Sequence, residues 1–149
     1  MEDPFNDEYF MRKALQEAET AFEKGEVPIG AVIVINNRII ARAHNLTETL
    51  NDVTAHAEMQ AFTAAADFLG GKYLRECTLY VTLEPCQMCA GAAYWTQISK
   101  IVFGAKDMNR GFRHFKTQLH PKTKVTGGIL ENECGDLIKK FFIEKRSLN

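Results

Sequence analysis

The sequence has few of the features that mark membrane-spanning, secreted or strongly charged proteins. Within its 149 residues no apolar run reaches the length of a membrane span, and residues 1–4 do not resemble the start of a signal peptide. Cysteine occurs only four times, which fits a reducing compartment better than a disulfide scaffold. These absences predict a cytoplasmic protein without a membrane partner.

The composition is ordinary for a folded domain. Hydrophobic residues make up 46% of the chain and charged residues 25%, and a chain of 149 residues can build a sizeable core. No internal repeat, low-complexity segment or shift in composition indicates a linker. The sequence therefore predicts a single domain over residues 1–149.

The charges are unevenly placed, although the formal net charge is only −1. Residues 1–60 hold eleven acidic and five basic side chains, whereas residues 104–126 hold one acid, Asp107. The bases of this second segment are Lys106, Arg110, Arg113, Lys116, Lys122 and Lys124. Phe112 and Phe115 lie among them, and such a mixture suits phosphate contact and stacking on nucleic-acid bases. Arg110, Arg113 and Lys116 are therefore candidate RNA contacts; the alternative is a solvated loop that the two phenylalanines anchor to the core.

Helical and strand patterns alternate along the chain. Helices are predicted from Asn6 or Asp7 to Lys24, from Thr54 to Phe68, from Pro85 to Trp95 and from Glu131 to Arg146. Strands are predicted at residues 29–35 and 38–43, joined by a tight Asn36-Asn37 turn, and at 77–83 and 99–104. Residues 105–128 are less regular, with a short helix and a short strand near Val125 expected there. The alternation predicts an α/β fold with helices on both faces of one sheet.

Four residues carry the strongest chemical pattern: His56, Glu58, Cys86 and Cys89. One imidazole and two thiols supply three zinc ligands and leave a fourth position for water, as in catalytic zinc sites. With Pro85 before the first cysteine, the four match the zinc deaminase pattern H-x-E…P-C-x-x-C. The alternatives are a structural zinc site, or two buried thiols beside an unrelated histidine. A structural site needs a fourth protein ligand, and none of the other cysteines and histidines continues the pattern: Cys77, Cys134, His44, His114 and His120.

The predicted helices give these residues a common location. Cys86 and Cys89 are three apart in the first turn of one helix, where the positive dipole end favours thiolates. His56 falls in the first turn of another helix, and two helix N-termini at one sheet edge would bring the three ligands together. Glu58 can act there as a proton carrier only if the site lies beyond the helix end, so this helix should begin near Ala55.

Several segments also match a known superfamily. They are VPIGAV (27–32), TAHAE (54–58), LYVTLEPC (79–86), CAGA (89–92), VFGA (102–105) and GIL (128–130), with Phe141 and Phe142. On these segments the chain resembles the cytidine and deoxycytidylate deaminase superfamily, and within it most closely the bacterial tRNA-specific adenosine deaminases. The resemblance implies a three-layer α/β/α sandwich with a five-stranded mixed sheet, one zinc ion per chain, a homodimer, and conversion of adenosine to inosine at the wobble position of a tRNA anticodon stem-loop.

The resemblance also implies contacts with the substrate. Asn45 is implied to hydrogen-bond the target nucleoside, and Asp107 to lie beside the flanking nucleotides. Glu26, Val27 and Phe142 are implied to line the nucleotide pocket. These five assignments rest on the resemblance alone.

Two segments depart from the adenosine deaminases. Residues 108–115, MNRGFRHF, stand where those enzymes usually have a small loop rich in glycine and serine, and residues 91–95, GAAYW, are more similar to bacterial guanine deaminases. The leading prediction is a zinc-dependent hydrolytic tRNA adenosine deaminase, and the alternative is a free nucleobase deaminase, above all for guanine. A zinc-stabilised RNA-binding module without turnover is a third hypothesis, which Glu58 opposes because folding alone does not need it.

Overall fold

The computed structural model describes residues 3–148, which form four helices and five strands. In chain order these are α1 (Asp7–Glu23), β1 (Gly30–Ile35), β2 (Arg38–His44), α2 (Ala57–Leu69), β3 (Thr78–Leu83), α3 (Gln87–Thr96), β4 (Lys100–Ala105), β5 (Lys124–Thr126) and α4 (Glu131–Ser147). The predicted alternation of helices and strands is confirmed. Asn6 caps α1, because its side-chain oxygen accepts a hydrogen bond from the Tyr9 N–H at 2.8 Å.

The strands form one mixed sheet in the order β2-β1-β3-β4-β5. β1 runs antiparallel to β2 and β3, whereas β3, β4 and β5 are parallel to one another. Asn36 and Asn37 turn β1 into β2 with φ angles of 48° and 60°, the left-handed conformation that a tight hairpin of this kind requires. Because β1 is antiparallel to β3, its start lies at the same sheet edge as the carboxyl ends of β3 and β4.

Helices cover both faces of this sheet, which confirms the three-layer α/β/α sandwich. On one face α2 and α3 pack over strand residues such as Leu79 and Ile101, and on the other α1 and α4 pack over Tyr80 and Val102. Each large apolar side chain that is fully buried contributes about 1.5–3 kcal/mol. None of the helices in residues 3–148 has the length and apolar character of a membrane span.

The start of α2 differs from its prediction. The sequence predicts Thr54 as the cap, whereas the helix begins at Ala57. The hydroxyl and N–H of Thr54 donate instead to the Asp52 carboxylate, at 2.8 and 2.9 Å. A threonine that has a local partner of this kind no longer caps a helix, so residues 53–54 form a turn and the helix begins only after His56.

The region around α3 and β5 also differs from its prediction. α3 begins at Gln87 rather than at Pro85, because Cys86 keeps an extended backbone. Within the described part of the chain, residues 106–123 contain no helix, so the predicted short helix there is wrong. The short strand predicted near Val125 is confirmed as β5.

Candidate metal and catalytic site

The N-termini of α2 and α3 meet at the sheet edge where β3 and β4 end. His56 is the N-cap of α2 and Cys86 the N-cap of α3, both with φ −71° and with ψ 155° and 172°. Neither side chain caps its own helix, so both are free to make contacts between the two helices. The sequence predicts both residues inside first turns; each lies just before one. Cys89 lies inside the first turn of α3 as predicted.

The three predicted metal ligands lie together. Nδ1 of His56 is 3.6 Å from Sγ of Cys86 and 3.6 Å from Sγ of Cys89, and all three ligand atoms lie within 4.8 Å of one another. A tetrahedral zinc with ordinary Zn–N and Zn–S bonds separates such atoms by about 3.5 Å. The donor set and its spacing therefore fit zinc.

The electrostatics of the cluster favour metal-binding sulfur. A hydrogen bond from the Cys89 thiol lowers the pKa of Cys86 to about 4, and His56 acts in the same direction. The pKa of Cys89 is raised by the same hydrogen bond and by burial. The pKa of His56 is raised, chiefly by its hydrogen bond with Cys86. The cluster thus stabilises one thiolate, which is the form of cysteine that binds metals.

Glu58 lies beside this cluster in the first turn of α2. The residue is only 4% exposed, and burial raises the pKa of its carboxyl to about 7. It lines the same cleft as His56 and Cys86. A carboxyl group whose pKa is near neutrality can both accept and donate a proton at physiological pH, which is what a general acid–base group requires.

A cleft of ≈ 1130 Å³ opens over the cluster. Five of the residues predicted to contact the substrate line it: Val27, Asn45, Asp107, Arg110 and Phe142. Asn45 is 5% exposed, and within residues 3–148 its side-chain oxygen has no hydrogen-bond partner. An unpaired buried acceptor costs about 1–3 kcal/mol, so a ligand that donates to Asn45 would recover this free energy.

Glu26, which is predicted to line the nucleotide pocket, is not among the residues that line the cleft. The side chain is fully buried. Its carboxylate accepts hydrogen bonds from the N–H groups of Glu48 and Thr49, at 3.0 and 2.7 Å, and from the hydroxyls of Thr47 and Thr49. Glu26 therefore holds one rim of the cleft in place, and its carboxylate has no free face for a nucleotide.

Arg113 has a partner inside the protein. Its Nη2 and Nε donate to the two carboxylate oxygens of Glu84 at 2.9 and 3.1 Å, and its guanidinium lies 4.8 Å from the ring centre of Phe103. The sequence suggests a dipole-compensating or structural role for Glu84, and the structural role fits this contact. Arg113 does not line the cleft. Because its guanidinium is already paired with Glu84, the predicted contact with RNA would compete with this ion pair.

The remaining predicted RNA contacts differ in position. Arg110 lies in the cleft lining, whereas Lys116 is exposed outside it. Phe112 is buried in the core against α2 and α3, as the anchoring alternative predicts, and Phe115 is exposed. Of the two rings, only Phe115 is therefore available for stacking on a base.

The chain matches the model of one protein family over nearly its whole length. The MafB19-like deaminase model aligns with residues 5–147. The chain belongs to this deaminase family. The His56, Cys86 and Cys89 cluster is thus found in a family of deaminases, and the resemblance seen in the sequence is confirmed.

Curated relatives and solved structures show which of these deaminases the chain is similar to. It is 49% identical over 146 residues to the tRNA-specific adenosine deaminase of Bacillus subtilis, covering 94% of this chain and 91% of the relative. A structure solved in work on A-to-I editing by tRNA:A34 deaminases has a TM-score of 0.80 at 43% identity, over 87% of this chain and 98% of the other. A guanine deaminase of Bacillus subtilis has a TM-score of 0.65 at 41% identity, over 68% and 65%.

One wall of the cleft in this deaminase was not predicted from the sequence. Besides Phe142, the face of α4 toward the cleft carries Gly135, Ile138 and Lys139. These positions precede Phe142 by seven, four and three residues, which places them on one side of a helix. Helical spacing from Phe142 is the signal that could have found them.

Proposed function

We propose that this protein deaminates adenosine to inosine in tRNA, at the wobble position of the anticodon. The position of Glu58 carries the proposal. A buried carboxyl group with a pKa near neutrality lies in a cleft beside three zinc-type ligands, which is the equipment for hydrolytic deamination. The tRNA-specific activity of relatives that cover nearly the whole chain supports the substrate.

His56 Nδ1, Cys86 Sγ and Cys89 Sγ are proposed to hold one zinc ion per chain. Bound there, zinc would supply the Lewis acidity that lets a water molecule lose a proton near neutral pH. Glu58 accepts that proton and delivers it to ring nitrogen N1 as the oxygen adds to C6 of adenine. Glu58 then carries the second proton of the water to the amino group, which leaves as ammonia while the C6–N bond breaks and inosine remains.

Residues of the cleft wall are proposed to hold the extruded nucleoside. Asn45 accepts a hydrogen bond from the nucleoside through its unpaired side-chain oxygen, and Val27 and Phe142 supply apolar surface. Asp107, which is partly buried, and Arg110, which is exposed, line the same cleft and are proposed to contact the flanking nucleotides and their phosphates. A base must leave its stack to reach such a pocket, so contacts to the neighbouring backbone are needed to hold the RNA.

A homodimer and a cytoplasmic location complete the proposal. Two adjacent aromatic side chains outside the cleft are exposed, Trp95 at 78% and Tyr94 at 40%. Exposed apolar surface of this kind is typical of protein interfaces, and a second copy of the chain is the proposed partner.

A substrate panel tests the proposal against its alternative. Purified protein is incubated with tRNA transcripts, adenosine, cytidine and guanine, and ammonia and the deaminated product are measured. Inosine at the wobble position is the expected product. Tyr94 and Trp95, which resemble the guanine deaminases, do not line the cleft of their own chain, so their position does not support a guanine pocket there. Efficient turnover of guanine without turnover of tRNA would replace the proposal by a free-base deaminase.

A further inference from the structure

The loop of residues 106–113, called the outer loop below, forms part of the rim of the cleft. Asp107 and Arg110 in this loop line the cleft. The Asp107 carboxylate accepts hydrogen bonds from the N–H groups of Asn109 and Arg110, at 3.1 and 2.9 Å. The positions of Asp107 and Arg110 are therefore fixed relative to each other within the loop.

The outer loop is joined to the turn that carries Cys86. The N–H of Phe112 donates to the carbonyl of Pro85 at 2.8 Å, and Gly111 forms an antiparallel bridge with Cys86. A Cβ at Gly111 would overlap the Glu84 carboxylate, so glycine permits this close approach. The outer loop thus lies directly against the turn that carries Cys86.

Glu84 and Arg113 close this junction. The Glu84 side chain is only 2% exposed. Besides the hydrogen bonds from Nε and Nη2 of Arg113, its carboxylate accepts hydrogen bonds from the backbone N–H groups of Asp107 and Arg113, each at 3.2 Å. One buried carboxylate therefore holds the first and last parts of the outer loop. The Arg113 side chain is half exposed, but the Glu84 carboxylate is buried, and a buried carboxylate that loses its cationic partner is disfavoured. The pair therefore favours this arrangement of the loop.

We infer that Glu84 and Arg113 are a positioning pair that holds Asp107 and Arg110 in the arrangement that binds substrate. The pair acts through the outer loop and not by touching RNA. When the pair is broken, the loop samples other arrangements, and the apparent affinity for substrate falls in proportion to the fraction of loops that stay competent. The chemistry at Glu58 is unchanged once substrate is bound. The kinetic test of this inference rests on the proposed function, because it uses a tRNA anticodon stem-loop as the substrate.

The test compares Arg113→Ala, Arg113→Lys, Arg110→Ala and Arg75→Ala with the wild-type enzyme on a tRNA anticodon stem-loop. Arg113→Ala should raise KM about tenfold and change kcat less than threefold. Arg113→Lys should recover part of the loss, because a lysine keeps the charge but only one of the two hydrogen bonds. Arg75 is the matched control: it also donates to a side chain, Gln97 at 2.8 Å, but precedes β3 at the opposite sheet edge. Arg75→Ala should leave KM unchanged.

Salt dependence separates positioning from direct RNA contact. Each lost phosphate contact lowers the slope of log affinity against log salt by about 0.7–0.9. Arg110→Ala should show this decrease, whereas Arg113→Ala should keep the wild-type slope. A reduced slope in Arg113→Ala would make Arg113 a phosphate contact, and an unchanged KM would remove it from substrate binding. Either result overturns the inference.

A readout without activity keeps the inference testable if the protein does not act on tRNA. Amide hydrogen exchange in the outer loop should speed up in Arg113→Ala, while exchange in α1 should stay at the wild-type rate. If the wild-type protein does not deaminate tRNA, the proposed function is wrong. The hydrogen-exchange result alone then tests whether Glu84 and Arg113 position the outer loop. Unchanged exchange in the outer loop would overturn that role by itself.

Discussion

Two buried glutamates, Glu58 and Glu26, show how one type of side chain takes opposite roles. At Glu58 burial dominates and raises the pKa to about 7. At Glu26 burial also acts to raise the pKa, but hydrogen bonds from the Thr49 hydroxyl and from the Glu48 and Thr49 N–H groups outweigh it and hold the pKa below its ordinary value. The first group can therefore exchange protons at neutral pH, whereas the second stays charged and binds the rim of the cleft.

The metal ligands can be tested residue by residue. Cys86→Ser and Cys89→Ser should lose bound zinc, because a serine hydroxyl does not replace a thiolate ligand. Cys77→Ser and Cys134→Ser should keep it, because both residues lie in the hydrophobic core away from the cluster. Metal content, measured by atomic emission on the purified variants, shows which cysteines bind zinc. Full zinc occupancy in Cys86→Ser would contradict the proposed ligand set.

Glu26 should control stability in acid. Its pKa in the folded protein lies below the ordinary value of 4.5, so its stabilisation is complete above that pH and is lost as the pH falls through the lowered value. Glu26→Gln should lower the free energy of unfolding at neutral pH, by about 1–3 kcal/mol for an N–H or hydroxyl left unpaired. In this variant the free energy of unfolding should also decrease less steeply as the pH falls into the acid range.

Urea denaturation at a series of pH values measures this effect of Glu26. Glu48→Gln is the matched control, because Glu48 is exposed in the loop that Glu26 holds. Parallel stability curves for wild type and Glu26→Gln throughout acid pH would show that Glu26 does not contribute in this way.

At the scale of secondary structure elements, the sequence was sufficient where the signals are local. The start of α1 at Asn6 or Asp7, of which the structure selects Asn6 as the cap, the Asn36-Asn37 turn and the alternation of helices and strands all follow from residues within a few positions of one another. The predicted start of α2 at Thr54 is wrong because the Thr54 hydroxyl donates to the Asp52 carboxylate and does not cap the helix. The partner of Arg113 was missed because Glu84 lies far away in sequence, and no periodic pattern links two such residues.

Two glycines test the packing of these elements. Gly91 lies within α3, and a Cβ there meets nothing within 4 Å, so Gly91→Ala should stabilise the protein by up to about 1 kcal/mol. Gly111→Ala should destabilise it, because the new Cβ overlaps the Glu84 carboxylate and the Asp107 carbonyl. Thermal denaturation of both variants gives the comparison. A Gly111→Ala protein as stable as wild type would show that the outer loop is not held against Glu84.

At the scale of the whole molecule, the basic side chains of the cleft and the exposed aromatic side chains lie in different places. Lys106, Arg110 and Lys139 line the cleft together with acidic residues such as Asp52 and Asp107, whereas Trp95, which is 78% exposed, does not line it. The three basic side chains suit contact with RNA phosphates, and an exposed aromatic side chain outside the cleft suits a protein partner. The sequence showed the uneven charge but could not show which bases reach the cleft, because that depends on how the 106–123 segment folds.

The proposed homodimer can be measured directly. Sedimentation equilibrium should give about twice the chain mass of 16.8 kDa at micromolar concentration. Trp95→Asp should shift the equilibrium toward the monomer, because a charge within an apolar interface is disfavoured. A single species of 16.8 kDa at high protein concentration would contradict the dimer.

Glu58→Gln tests the central claim most directly, because glutamine keeps the size of the side chain and cannot carry the proton. Deamination of a tRNA anticodon stem-loop and zinc content are measured on the same preparations. The account predicts wild-type zinc content, a wild-type circular dichroism spectrum and a deamination rate lower by about 10²–10⁴-fold. A zinc-loaded Glu58→Gln protein that deaminates the stem-loop within tenfold of the wild-type rate would contradict it.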